Sequence, residues 1–397
     1  MTKYFFYIVV ILNIGFLYTL IWDFVILNSR ATQAFILLAV NVAYLLNHRK
    51  KIKKLSLSPF SFLIHMYIIL LLVNMGIAFI KGSNSIFLIG VLIAVCFTFS
   101  LILQSSIYTN RNPFLPYIFL AEYMVVASVF VFLLLKMNII SLGKFQIPST
   151  RYELFWGNLQ NTNGQVFFPL HLIFVTDSVR DIPFFGDFGI FTGLCHEPHL
   201  ATLFITPALF FAYGLEKNIQ VFTLTCFAFF FMAGSVTNLI IIVFCLLIFL
   251  EVNFRKTHLH TLFLILSIFG FVLIISFYTS VINSLGLGII LTKLDSSNVS
   301  NEVSMNVLKY MYTPKTIFGS DIFIYAYNKM ATDIGVVNFL LIVLSQVVYI
   351  YGCFKMLLSH NKQQAIMSIG LIYFFMHGLN DNIAHRVPPV ALSWYRC

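Results

Sequence analysis

Residues able to do chemistry are sparse in this chain, and several of them cluster. The stretch FTGLCHEPHLATLFITP, Phe191 to Pro207, sets His196, Glu197 and His199 around Pro198, directly ahead of an apolar run. Glutamate and neutral imidazole are ordinary general bases near neutral pH. Proline suits the first turn of a helix, where its missing N–H leaves no hydrogen bond unmade. Glu197 is therefore expected at a helix N-terminus, where the macrodipole favours its ionised form by roughly 0.3–1 kcal/mol and would also attract a phosphate. An ionised glutamate stabilised in this way is a weaker base, which keeps His196 as the other candidate. The same pattern also fits a glutamate that merely caps a helix, with two histidines at the level of lipid headgroups. A metal site is not indicated. Pro198 interrupts the His196/His199 spacing, no HExxH pattern exists, and the cysteines at 96, 195, 226, 245, 353 and 397 show no CxxC or Cys/His spacing.

The elements that must position these residues are apolar. Hydrophobic residues make up 60% of the 397 positions and charged residues 10%, with 45 phenylalanines and a mean hydropathy of +0.92. No ordinary water-soluble domain has this composition. Apolar runs long enough to cross a hydrocarbon core of about 30 Å recur along the chain. They are expected near 4–27, 31–47, 59–80, 85–108, 114–135, 198–215, 219–233, 237–254, 260–282, 335–354 and 362–377. The expected fold is an all-α polytopic membrane protein with about eleven transmembrane helices (ten to twelve), forming a single integral membrane domain over 1–397. Placing the N-terminus in the cytoplasm keeps HRKKIKK (His48 to Lys54), TNRN, EKN, FRKTH and HNKQQ inside, as the positive-inside rule asks. The net charge of +10 is scattered over such loops, which argues against a nucleic-acid partner.

Two long connections, 137–197 and 283–334, then fall outside and carry most of the remaining charge. Loops of that length in a compact protein are more often functional than idle. Within the first, VFFPLHLIFV at 166–175 is too short to span and is expected as a re-entrant or interfacial piece. HEP is expected at the outer lip of the sixth span. Tyr152 and Trp156, in TRYELFWGN, have the aromatic character of sugar contacts and equally that of an interfacial belt. Glu122, within the fifth span, is an ionisable group at membrane depth and so a functional candidate, or a partner for a neighbouring helix.

GLCHEPHLA, with Arg180 upstream in the same loop, resembles the loop-to-span junction of bacterial O-antigen and exopolysaccharide polymerases, members of the O-antigen ligase/polymerase superfamily. MAGSVTNLIIIVFCLLIFL at 232–250, PKTIFGS at 314–320 and TDIGVVNFLLIVLSQ at 332–346 are similar to further segments of that family, in the same order. These patches cover about a seventh of the chain, whereas the architecture of many spans and two large periplasmic loops matches from end to end. No basic residue lies between Phe188 and Thr192, where many relatives carry one, so that role falls to Arg180. The His-Asn pair usual in the second loop of the ligases is replaced by Tyr327-Asn328.

The resemblance implies a metal-independent glycosyl transfer, without cofactor, between two undecaprenyl-diphosphate-linked oligosaccharides at the periplasmic face of the bacterial inner membrane. It implies a membrane lipid environment, with a chain-length regulator and a flippase as partners. On that reading Glu197 or His196 takes the proton of the acceptor hydroxyl, and Arg180 is catalytic through the leaving diphosphate. Arg151 and Lys315 bind the same anion, while Asp333, Tyr152, Trp156 and His199 contact substrate. Arginine's planar fork offers bidentate donors that stay charged, although each of these cations could instead anchor a loop to headgroups. The alternatives are an O-antigen ligase, which shares the donor but uses the lipid A core as acceptor, and a polysaccharide flippase. A transporter would favour evenly short loops and internal repeats, and the sequence shows neither.

Overall fold

In long apolar runs the chain's own i→i−4 hydrogen bonds are the cheapest way to satisfy the backbone, and helix dominates accordingly. The structure, a computed structural model, describes residues 2–18, 30–48, 68–69, 72, 75–76, 86–109, 111–147, 166–182, 186–195, 198–227, 236–254 and 335–380. Helix accounts for 83% of them. The helices are α1 (Thr2–Tyr18), α2 (Arg30–His48), α3 (Ile86–Thr109), α4 (Phe114–Lys136), α5 (Pro198–Gly214), α6 (Asn218–Phe227), α7 (Val236–Phe254), α8 (Gly335–Leu357) and α9 (Lys362–Asn380). Each falls on an expected span. The expected span at 260–282, nearly all of the one at 59–80 and the loop at 283–334 lie outside the described residues. Among the described residues, α4 is the one helix both long and apolar enough to cross a membrane by itself.

Contacts divide the chain into two compact units, one of residues 1–29 and 113–242, the other of residues 30–112 and 243–397. In the first, α4 is the central element. Its 23 residues extend about 34 Å at about 1.5 Å per residue. Pro116 lies in its first turn, where a missing N–H is harmless, and Lys136 in its last, where a cation suits the dipole. Asn138 stops it with a left-handed φ of 54°. Its N–H reaches Leu135 O at 3.1 Å and that of Ile139 reaches Leu134 O at 3.0 Å, so the last carbonyls are satisfied. Phe114, Tyr117, Ala121, Met124, Val125 and Ser128 are buried, while Phe119, Tyr123, Val126, Phe130 and Leu133 are exposed at spacings of four and three. A helix apolar on both faces is what a bilayer accommodates and water does not.

α5 packs antiparallel on α4. Phe114 meets Phe211 with ring centroids 4.7 Å apart, and Tyr117 meets Phe204 at 5.7 Å. Pro207 sits inside α5, where it removes one backbone donor and its ring disturbs the preceding turn. In that turn the Phe204 carbonyl accepts a hydrogen bond from the buried Tyr117 hydroxyl at 2.8 Å.

The expectation of an all-α chain omits a three-stranded antiparallel sheet, ordered β1-β2-β3, built from Val166–Phe167 (β1), Phe174–Ile182 (β2) and Gly186–Gly193 (β3). The physical reason is local. Val175, Thr176, Val179 and Ile182 favour the extended chain, as do Phe188, Ile190 and Thr192, and the PFFG stretch separates the two runs. The segment at 166–175 accordingly folds as β1, a 3-10 turn over Pro169–His171, and the start of β2.

In the second unit α2 and α3 run parallel. Phe35 stacks on Phe87 at 6.1 Å, Asn41 Nδ2 donates to Thr98 Oγ1 at 3.2 Å, and Arg111 Nη1, just past α3, donates to the Tyr44 hydroxyl at 2.9 Å. Asn41, Thr98, Ser105 and Ser106 are buried along this seam. The three serine and threonine hydroxyls return to carbonyls of their own helix. Polar side chains of this kind hold apolar helices together where water offers no competing bond. α8 and α9 form a hairpin. Asn361 Oδ1 caps α9 by accepting the Gln363 N–H at 3.0 Å, and the Tyr349 hydroxyl donates to Leu371 O at 2.6 Å.

The bond from Tyr117 to α5 gives a direct test. Tyr117→Phe leaves the Phe204 carbonyl without that donor and is expected to lower stability by about 1 kcal/mol. A fall of a few degrees in the unfolding temperature of the detergent-solubilised protein would register it, and an unchanged temperature would show that Tyr117 acts by packing alone.

Candidate functional site

The sheet is held against α4 at two points, and these set its direction and depth. The Tyr123 hydroxyl donates to Leu172 O at 3.1 Å. Further along α4, Phe132 meets Phe191 edge to face, with centroids 6.4 Å apart. Phe191 pairs with Val175, so β2 climbs along α4 toward its C-terminal end. Tyr123 lies 13 residues before Lys136, about 20 Å along the axis. The Pro169–Leu172 turn therefore sits beside the middle of α4.

The other end of the site follows from strand register. Gly193 pairs with Phe174, and Thr192 Oγ1 donates to Phe174 O at 3.2 Å. Leu194 and Cys195 are buried, and the Cys195 N–H returns to Thr192 O at 3.0 Å. α5 then opens at Pro198, as the sequence led us to expect. It opens beside the middle of α4. Phe204 lies at the level of Tyr117, and counting the six residues back to Pro198 brings the start of α5 about 9 Å higher, near the level of Tyr123. The sheet occupies the C-terminal half of α4, beyond the level at which α5 begins.

The expected site residues distribute unevenly over this frame. His196 and Glu197 lie outside the described residues, bracketed by Cys195 and Pro198. His199 is the second residue of α5. Arg180 is on β2, opposite Phe188, five strand residues from Gly193, or about 17 Å at about 3.4 Å per residue. The ladder therefore carries Arg180 toward the far end of the hairpin, away from the 193–198 segment. Arg151, Tyr152, Trp156, Lys315 and Asp333 lie outside the described residues. Glu122 is on α4, half-buried, one residue before Tyr123. Among the described residues no group of three or more His, Cys, Asp or Glu is arranged to hold a metal ion.

Residues not singled out in the sequence also build the frame. Tyr123, Thr192 and Phe174 fix where the loop meets the helix, and nothing in their spacing marks them, because their partners lie far along the chain. Phe168 stacks on Phe174 at 4.4 Å and meets His171 edge-on at 5.3 Å. Comparison of the chain with protein-family profiles, curated proteins and solved structures finds no match.

Burial pushes the Cys195 thiol well above its usual range. The thiolate, the reactive form, is therefore scarce at any physiological pH. We expect Cys195 to resist maleimide in the folded protein at pH 7–8 and to react once the chain is denatured. Rapid modification of Cys195 in the native state, located by peptide mapping, would contradict the burial of Leu194 and Cys195.

Proposed function

We propose that this chain is a multi-pass inner-membrane glycosyltransferase of the O-antigen polymerase type, with about eleven spans and its active site facing the periplasm. The observation that carries the reading is the folding of the first long loop against α4, which brings the Pro169–Leu172 turn and the start of α5 at Pro198 beside the middle of that helix. Helix directions support the threading. α2 and α3, read as the second and fourth spans, run parallel, and α4 and α5, read as the fifth and sixth, run antiparallel. A parallel pair requires the chain between them to recross, which the expected third span supplies.

In this scheme the hydroxyl of the acceptor repeat unit loses its proton to Glu197 or His196 and attacks the anomeric carbon of the growing chain. A new glycosidic C–O bond forms as the bond from that carbon to the phosphate oxygen breaks. The electron pair leaves with the undecaprenyl diphosphate. Cations that meet the developing negative charge act in the transition state, and Arg180, Arg151 and Lys315 remain the candidates. Asp333, Tyr152, Trp156 and His199 are assigned to sugar contact. A chain-length regulator and a flippase are the expected partners.

An O-antigen ligase would use the same donor and a different acceptor. The buried polar seam between α2 and α3 favours a transporter, because polar groups at membrane depth also line transport paths. A gel of surface polysaccharide from a strain lacking the gene, with lipid-linked intermediates extracted in parallel, separates the three. Lipid A core carrying a single repeat unit is expected. Bare core with long lipid-linked polymer outside would mean a ligase, and single units retained inside would mean a flippase. Glu197→Ala or Arg180→Ala at normal protein level is expected to abolish long chains, and undiminished chains would remove that residue from the site.

A further inference from the structure

The Pro169–Leu172 turn is unusual in its backbone, its exposure and its depth. Leu170 and His171 are consecutive non-glycine residues with φ of 51° and 58°, a left-handed conformation that costs on the order of 1 kcal/mol or more each. Hydrogen bonds on both sides hold them there. Phe168 N–H donates to Phe145 O at 2.9 Å, His171 N–H to Phe168 O at 3.1 Å and Leu172 N–H to Pro169 O at 3.0 Å, while the Leu172 carbonyl takes the Tyr123 hydroxyl. Phe168, Ile173 and Phe174 around the turn are buried, whereas Leu170 and His171 are exposed. The imidazole rests edge-on against Phe168, and its ring nitrogens make no hydrogen bond among the described residues.

This turn lies about 20 Å below the outer end of α4. Irregular backbone and an exposed imidazole at that depth are tolerated where they line a water-filled cavity and not against lipid tails. His171 also leaves the sheet at the same end as the CHEP segment. It is three residues before Phe174, whose strand partner Gly193 is two residues before Cys195. The ladder that carries Arg180 away thus brings His171 and the start of α5 together.

We infer that the Pro169–Leu172 turn lines a water-filled recess in the outer half of the protein, and that His171 contacts the diphosphate of a lipid-linked sugar bound there. The inference rests on the membrane glycosyltransferase reading for its ligand. An imidazole N–H is a donor for a phosphate oxygen, and a recess at this depth meets the diphosphate of a polyprenyl lipid without lifting the lipid from the bilayer. The cost of the two left-handed residues is then met by presenting the ring to the anion.

Single cysteines at His171, Leu170, Phe119 and Val126 in the full chain, treated in spheroplasts with a membrane-impermeant maleimide, test the recess. Phe119 and Val126 bracket Tyr123 on the exposed face of α4 and report lipid-facing sites at similar depth. His171→Cys is expected to label at least tenfold faster than either, after subtraction of the parent chain, and Leu170→Cys gives the same reading should the first variant fold poorly. Labelling as slow as at Phe119→Cys would overturn the recess. In proteoliposomes, undecaprenyl diphosphate is expected to slow labelling of Leu170→Cys, which keeps the His171 imidazole, at least tenfold, with undecaprenol and inorganic diphosphate having little effect, and to lose that protection when His171→Ala is added. Absence of protection by undecaprenyl diphosphate would overturn the diphosphate contact, and equal protection by inorganic diphosphate would overturn the lipid assignment. None of these readouts passes through polysaccharide synthesis. Protection by the lipid alongside an unchanged polysaccharide pattern in the deletion strain would therefore reject the polymerase reading and leave the site standing.

Discussion

The hydrogen bond from the Tyr123 hydroxyl to the Leu172 carbonyl sets the depth at which the first long loop folds. α4 supplies a rigid rod, and a single donor near its middle selects one turn of the loop. Register does the rest. With Leu172 fixed, β2 can only climb along α4, Phe191 falls against Phe132, and Gly193 returns to the level of Phe174. The start of α5 is thereby placed beside the middle of α4. The bond is between neutral groups and worth about 1 kcal/mol. Its leverage comes from the stiffness of the two elements it joins.

A second donor on the same helix keeps α5 in place. Tyr117 reaches the carbonyl of Phe204 in the turn that Pro207 disturbs. Two tyrosines six residues apart on one helix thus fasten the loop and the helix that follows it. The Tyr117 ring packs between Phe204 and Phe211 while both hydroxyls reach backbone carbonyls, a division of labour open to an amphipathic aromatic in an apolar setting.

The helices were legible because their cause is local. An apolar run of sufficient length has to satisfy its own backbone, and its limits are marked by polar or helix-stopping residues such as Asn138 and Pro198. The sheet was legible only in hindsight. The extended-chain formers Val175, Thr176, Val179 and Ile182 are present, but the surrounding apolar content made VFFPLHLIFV read as a membrane-associated piece. The level of the Pro169–Leu172 turn along α4 was not legible at all, because it depends on Tyr123 meeting Leu172, 49 residues away. For the same reason the wide separation of Arg180 from the start of α5 along the ladder emerged only once the register was known. Asn41 and Thr98, 57 residues apart, hid in the same way. Each looked like a stray polar residue in an apolar run.

The sequence distance between Tyr117 and Phe204, 87 residues, also orders events during synthesis. α4 emerges from the ribosome well before its partner. At about 5–20 residues per second, its Tyr117 hydroxyl waits on the order of ten seconds for the carbonyl it will bind. Over that interval the hairpin can form its own ladder, but the strand that leads into α5 has no anchored end. The start of α5 is thus fixed late in this unit, after the rod that positions it and before the helices that follow.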